Sequence, residues 1–241
     1  MTATRHPLQA VAGVPECALG DALAARLPAT SPPAPWTTTV DAVVWLHRAS
    51  PAAAAQLPAA LRAAPALPLT VGAFVRYLDA PVGPYSEVLA APVLLARAPL
   101  PAASVPFIAV DSLASLHGGR ANWALPKALA AFAWTADADR LGRGPFAVRA
   151  EGTHGPVAWA VDARVAPRPR RLPLRLALRD VQVAPDGREL AIAIALRGRA
   201  QLATVAVRSA GPALPAWLRA GRHRGLVLTG ARATFGAPRR T

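Results

Sequence analysis

The sequence predicts an α+β protein. The expected form is a single domain, residues 1–241, built on an antiparallel, closed or nearly closed β-barrel with a few flanking helices. Three observations carry this. Strand-like runs come first, one central helix follows, and strands then resume without intervening helices. Asp186-Gly187 sits between two apolar runs, a hairpin signal. Pro 26 and Gly 17 call for many short elements and many turns.

In chain order, residues 16–27 (ECALGDALAARL) read as a short helix with Leu19, Leu23 and Leu27 on one stripe. Residues 28–35 (PATSPPAP) are too rich in proline for regular structure. With that helix they make residues 1–36 an N-terminal helix and Pro-rich arm. Residues 37–47 (TTTVDAVVWLH) form a β-branched strand. Ser50-Pro51 starts a helix, bent or broken at Pro58. Strands are expected at 69–79, 85–97 and 105–111, and a helix in the segment 118–134. Further strands are expected at 145–151, 155–163, 172–183, 189–197, 201–208 and 225–235, with a short helix at 213–220. No internal repeat or long linker divides the chain.

Composition narrows the function classes. Cys17 is the one cysteine, so no internal disulfide and no cysteine metal cluster is expected. MTATRHPLQAVAG lacks an apolar leader core, and no run reaches 18 apolar residues, so neither secretion nor a membrane span is expected. The expected location is the cytoplasm. The net charge of +14 raises nucleic acid as a partner. The arginines are mostly scattered, however. The clusters Arg164–Arg171 (RVAPRPRR, read as an exposed loop) and Arg219–Arg224 lack the interleaved aromatics that stack on bases. A solvated face or oligomer rim is the preferred reading, and no specific nucleic acid is expected. HExxH, P-loop, dinucleotide and nucleophile-elbow motifs are absent from the sequence, and no metal site is expected.

The segment 118–134, GGRANWALPKALAAFAW, holds the strongest signal. Lys127 is the only lysine, against 26 arginines. Arginine replaces lysine as a surface charge but stays protonated and forms no imine. A retained primary amine among Ala124, Leu125, Pro126, Ala128 and Leu129 is therefore a candidate nucleophile, provided that burial lowers its pKa. The competing reading is a lysine at a helix start with its head in water. Glu87 is the second candidate, a carboxylate in the apolar run PYSEVLAAP. It either transfers protons or faces outward. Arg120 either holds a substrate carboxylate or braces the lysine segment. Trp123 and Phe132 read as wall. His117 and Asn122 are polar neighbours of the lysine without a metal-ligand pattern.

The segment resembles the acetoacetate decarboxylase family, whose active lysine lies in a Gly-Arg-Glu…Pro-Lys-Lys stretch. Gly119-Arg120 and Pro126-Lys127 match at the family spacing, and Tyr85-Ser86-Glu87 matches its Tyr-x-Glu. The resemblance implies that Lys127 forms a Schiff base with a keto acid, the family enzyme being an established example of an activated lysine. It implies that Glu87 lines the pocket and that the subunits assemble as homo-oligomers. Candidate catalytic residues are thus Lys127 and Glu87. Candidate substrate-binding residues are Arg120, Tyr85, Trp123 and Phe74. A small-molecule keto acid is the implied partner, and no cofactor is required. The sequence also departs from the family. Ala128 replaces the second lysine, and Ala121 the glutamate after Gly-Arg. Val75 and Arg76 stand where a second pocket acid is expected, and Thr37-Thr38-Thr39 where an arginine is. These departures favour a different keto compound from acetoacetate. They also leave open a non-catalytic, small-molecule-binding member of the same fold.

Overall fold

Strand β1 (Trp36–Arg48) lies between β3 (Leu69–Asp79) and β13 (Gly221–Phe235), antiparallel to both, and this triplet anchors the sheet. The computed structural model describes residues 6–137 and 140–240. Outward from β3 come β4 (Tyr85–Ala91), β7 (Phe107–Val110) and β8 (Lys127–Leu129). Outward from β13 come β12 (Glu189–Ala210) and β11 (Val157–Val183), which form a long hairpin. The short β6 (Ala102–Ala103), β5 (Leu94–Leu95) and β2 (Ala66–Leu67) extend β11. Strands β9 (Ala131–Trp134) and β10 (Phe146–His154) branch from β11, and β14 (Arg239–Arg240) pairs with β12.

The architecture is mostly β, a large mixed sheet with few helices. Two expectations change. The β7–β8 and β6–β11 pairs are parallel, so the sheet is not purely antiparallel. Nor does it close into a barrel. Strand β8 pairs with β7 for three residues, and Ala130 then donates its N–H to Val110 O at 2.8 Å. The chain next leaves β7, and β9 ladders onto β10 instead. The two flanks are therefore joined through the backbone at Ala130 and not through a continuous ladder.

The helices are shorter than the sequence suggests, each for a local reason. Residues 16–27 give a 3-10 turn at Pro15–Cys17 and a single α turn, α1 (Asp21–Ala24), separated at Gly20. Residues 51–63 give two 3-10 turns, Ala54–Gln56 and Ala59–Leu61, because Pro58 removes a donor between them. At the C-terminal side only α3 (Leu214–Trp217) forms. Among the described residues no helix is long and apolar enough to cross a membrane.

The Arg164–Arg171 segment is not a loop. It runs inside β11, with a register shift between Pro167 and Arg171. Strand β10 pairs with β11 only up to Val165, and β6 only at Arg179 and Asp180. Between those points, among the described residues, β11 is a free edge on one side. Prolines 167, 169 and 173 lie in this stretch, and an edge strand is where a sheet tolerates proline. Two main core clusters fill opposite faces of the sheet. One holds Trp45, Phe74, Val88, Phe107, Trp159 and Trp217. The other holds Val40, Ala42, Val75, Tyr77, Tyr85, Val110 and Leu116.

Candidate functional site

The site grows from the hairpin of β3 and β4. The register places Tyr77 opposite Tyr85 and Val75 opposite Glu87. Paired residues share a face, so Tyr77, Tyr85 and Glu87 point to the same side. On the far side of β4, Glu87 pairs with Val110 of β7, and Ile108 of β7 pairs with Lys127 of β8. Two ladder steps thus bring residues 40 apart in sequence onto one face.

The lysine is not in a helix. Helix α2 (Leu113–Trp123) precedes it, capped by Ser112, whose Oγ accepts from the Ser115 N–H at 3.2 Å. The helix ends on Ala124 in a left-handed conformation, with Ala124 N–H donating to Arg120 O and Leu125 N–H to Gly119 O. Pro126 disfavours helical backbone at Leu125, so the chain turns and Lys127 opens a strand.

Lys127 is buried, only 3% exposed, and Glu87 is 2% exposed. Nζ donates to Glu87 Oε2 at 2.6 Å and to Ser115 Oγ at 2.9 Å. Tyr77 Oη donates to the other Glu87 oxygen at 3.1 Å. The Tyr77 and Tyr85 rings stack with centroids 4.1 Å apart, and Nζ lies 5.1 Å from the Tyr85 centroid. The result is one cation and one anion held in a dry, aromatic-walled site.

The electrostatics differ from the expectation of a lowered amine pKa. Burial alone works against the charged amine. The Glu87 carboxylate and Tyr85 outweigh it, and Lys127 is held above its ordinary value. Burial pushes Tyr85 up to about 12, and Tyr77 is pushed well above its usual range, first by burial and then by Glu87. A buried ion pair is neutral as a whole. Moving its proton along the 2.6 Å hydrogen bond yields amine and carboxylic acid without creating a new buried charge. The pair can therefore supply a free amine and an acid together.

The spacing of Gly119-Arg120 from Lys127 has a physical basis. A Cβ on Gly119 would lie 2.5 Å from Lys127 Cδ and 2.6 Å from Cε, so only glycine leaves room for the lysine stem. Arg120 is buried, and its guanidinium is spent on three backbone carbonyls. Nε donates to Lys127 O at 2.7 Å, Nη1 to Leu8 O at 2.8 Å, and Nη2 to Cys17 O at 2.6 Å. Burial lowers its pKa to about 10. It thus clamps the N-terminal segment and the lysine strand together and does not aim at the space around Nζ.

The remaining candidates separate. Tyr85 lies at the lysine. Trp123 packs edge-on against Trp36, centroids 4.9 Å apart, and donates to Gly236 O, away from the pair. Phe74 pairs with Val88, one position out of phase with Glu87, so it faces the opposite core with Trp45 and Trp134. Val75 shares the face of Glu87. Arg76 lies on the other face, over the Trp134 ring at 4.5 Å. Sequence reasoning missed Tyr77 and Ser115. A signal for Tyr77 existed, since a hairpin closed over Pro81–Pro84 sets it opposite Tyr85. Ser115 had none, because a helix end and a turn separate it from the lysine strand, so no single period relates the two. Among the described residues no group of three His, Cys, Asp or Glu side chains is placed to hold a metal.

Comparison with known proteins shows the family and the fold. A family model described as Acetoacetate decarboxylase (ADC) matches residues 23–155, more than half of the chain and the part that contains Glu87, Arg120 and Lys127. An acetoacetate decarboxylase structure from Legionella pneumophila subsp. pneumophila str. Philadelphia 1 is similar with a TM-score of 0.65 at 16% identity, covering 90% of each chain. The enduracididine biosynthesis enzyme MppR complexed with pyruvate gives 0.64 at 17% identity, covering 88% of this chain and 92% of that one. An acetoacetate decarboxylase-like enzyme from Sphingomonas wittichii RW1 gives 0.62 at 16% identity, covering 87% and 93%. At these identities the structures speak for the fold. No curated protein sequence matches the chain.

Proposed function

We propose a Schiff-base lyase function for this chain, which belongs to the acetoacetate decarboxylase family. The observation that supports it most is the Lys127–Glu87 contact at 2.6 Å inside a buried site. In the proposed cycle Glu87 takes a proton from Lys127. The free amine attacks a substrate carbonyl, and the proton now on Glu87 goes to the departing hydroxyl. The resulting iminium is an electron sink for the bonding pair of an adjacent C–C bond. A proton taken up from water and passed on by Glu87 then goes to the enamine carbon, and hydrolysis frees the lysine. Ser115 orients Nζ, and Tyr77 holds the second Glu87 oxygen through the cycle. The substrate is a keto acid or related keto compound, and the pyruvate named for MppR supports a small one.

The reading includes self-association. Leu172, Leu176 and Leu178 are exposed on one face of the β11–β12 hairpin, while on the other Arg175 stands opposite Arg197. Like charges disfavour contact through the arginine face, so a second copy would pack on the leucines. Sedimentation of the wild-type chain against Leu176→Glu checks this, with a smaller species expected for the variant.

The single lysine makes the catalytic reading direct to test. Borohydride is added to the chain with a panel of keto acids and ketones, and tryptic or chymotryptic peptides are weighed. A reduced adduct on Lys127 is expected. No mass increase on that peptide with any carbonyl compound rejects imine chemistry.

A further inference from the structure

The charge balance around Lys127 bears on which carbonyl compound can enter. The described site holds one buried cation, Lys127, and one buried anion, Glu87, already joined at 2.6 Å. The two guanidinium groups closest along the adjoining segments are committed elsewhere. Arg120 donates to the carbonyls of Lys127, Leu8 and Cys17. Arg76 lies on the opposite face of the sheet, over Trp134, and donates to Ala136 O at 3.0 Å. The stacked Tyr77–Tyr85 pair lies beside the ion pair, and Val110 and Leu116 belong to the same apolar cluster. A substrate carboxylate brought to this place would make a neutral dry site negative, beside the Glu87 oxygens. Burying a charge without a partner is costly, and a like charge nearby adds to the cost.

We infer that, given the Schiff-base reading above, the substrate carries no carboxylate: it is an uncharged β-hydroxy ketone, cleaved to an aldehyde or ketone and a smaller ketone, or formed from them. Such a substrate has no CO2 to lose, so the bond that breaks is the aldol bond. The amine condenses with the ketone, releasing water. The electrons of the Cα–Cβ bond flow into the iminium, and the β-hydroxyl proton passes to the Glu87 carboxylate. One carbonyl product leaves, and the enamine remains on Lys127. Glu87 returns its proton to the enamine carbon, and water releases the second ketone. Atoms and charge balance with only water entering and leaving.

The test is reductive trapping of the full chain with cyanoborohydride at neutral pH. Diacetone alcohol and butanone are compared with pyruvate and acetoacetate at equal concentration. Each adduct rate is divided by the rate with N-acetyl-lysine to remove intrinsic carbonyl reactivity. The uncharged probes are expected to be favoured by at least about tenfold, a difference that corresponds to one modest discriminating interaction. Acetone released from diacetone alcohol is a second expected readout. Keto acids trapped as well as or better than the uncharged ketones overturn the inference while leaving the Schiff-base reading in place. No adduct with any probe overturns that reading and the inference with it. Glu87→Gln sharpens the result: removing the anion is expected to raise keto-acid trapping relative to butanone. Unchanged keto-acid discrimination in a folded variant counts against the charge argument, and the wild-type comparison stands should the variant not fold.

Discussion

Glu87 and Asp180 are both buried carboxylates, and the chain compensates them differently. Glu87, on β4, meets a lysine at 2.6 Å and a tyrosine hydroxyl at 3.1 Å. Asp180, on β11, is 4% exposed and receives the Gln182 side-chain amide, 3.0 Å from each oxygen. Burial pushes Asp180 up to about 7, only partly opposed by that amide and the Val181 N–H. Arginines are abundant on the same arm, but Arg175 is exposed and Arg179 donates to Ala98 O. A chain with 26 arginines thus places none in a salt bridge with Asp180 and gives its single lysine to Glu87. Compensation follows geometry rather than the number of charges available.

The largest effect is expected at the lysine. Lys127→Met should abolish imine trapping and leave Glu87 buried without its cation. The expected loss of stability is about 3–5 kcal/mol, as for other broken buried pairs. Lys127→Met combined with Glu87→Met should recover most of that loss in urea unfolding. A double variant as unstable as the single one would show that the pair is not what couples them.

Next in size is Asp180→Asn. A carboxyl held up to about 7 in the native state and titrating at its usual 3.8 when unfolded lowers stability as pH rises between those values. The penalty is absent below the unfolded value and complete above the folded one. Removing the ionisable group should flatten that decline and stabilise the chain at pH 8 by up to about 4 kcal/mol, with little change at pH 4. Urea midpoints at the two pH values check this, and imine trapping should be unchanged.

Arg120→Met removes donors from the carbonyls of Lys127, Leu8 and Cys17. A loss of about 3 kcal/mol is expected, because buried acceptors lose charged partners. The N-terminal segment should then be cleaved by protease well before the sheet. Early cleavage at residues 6–19 with a normal sheet supports the clamp, and a uniform loss of resistance argues against it.

The smallest effect on stability and the sharpest on chemistry belongs to Gly119→Ala. Alanine favours helix by about 1 kcal/mol over glycine, which offsets the crowding. Its Cβ nevertheless displaces the Lys127 stem from Glu87. Near-wild-type unfolding with trapping slowed about tenfold or more is expected, the order of loss that misplacing a reacting group brings. Unchanged trapping would mean that the stem position does not matter.

Much of the fold was legible because strand patterning is local. Leu69–Asp79 forms over the residues expected, and the strands around 37–47, 105–111 and 225–235 lie within a few residues of their expected bounds. Helices were over-read where proline or glycine breaks an otherwise apolar period, at Gly20 and Pro58. The RPRR segment was misread as a loop because its prolines fit a strand only if one edge is free, and edges are set by pairing. At the site, Lys127, Glu87 and Tyr85 were visible from their unusual company. Phe74 was not separable from Glu87 without knowing the phase of β3 against β4.

Residue order alone sets one primary amine in an apolar segment behind a Gly-Arg pair and a lone acid in an apolar strand. Those are properties of residue type and near-neighbour spacing. Folding in three dimensions brings the two together, adds Tyr77 and Ser115 to the contact and turns Arg120 to the backbone. Such contacts depend on strand register and on which face each strand turns inward, and a one-residue slip in either would have parted them.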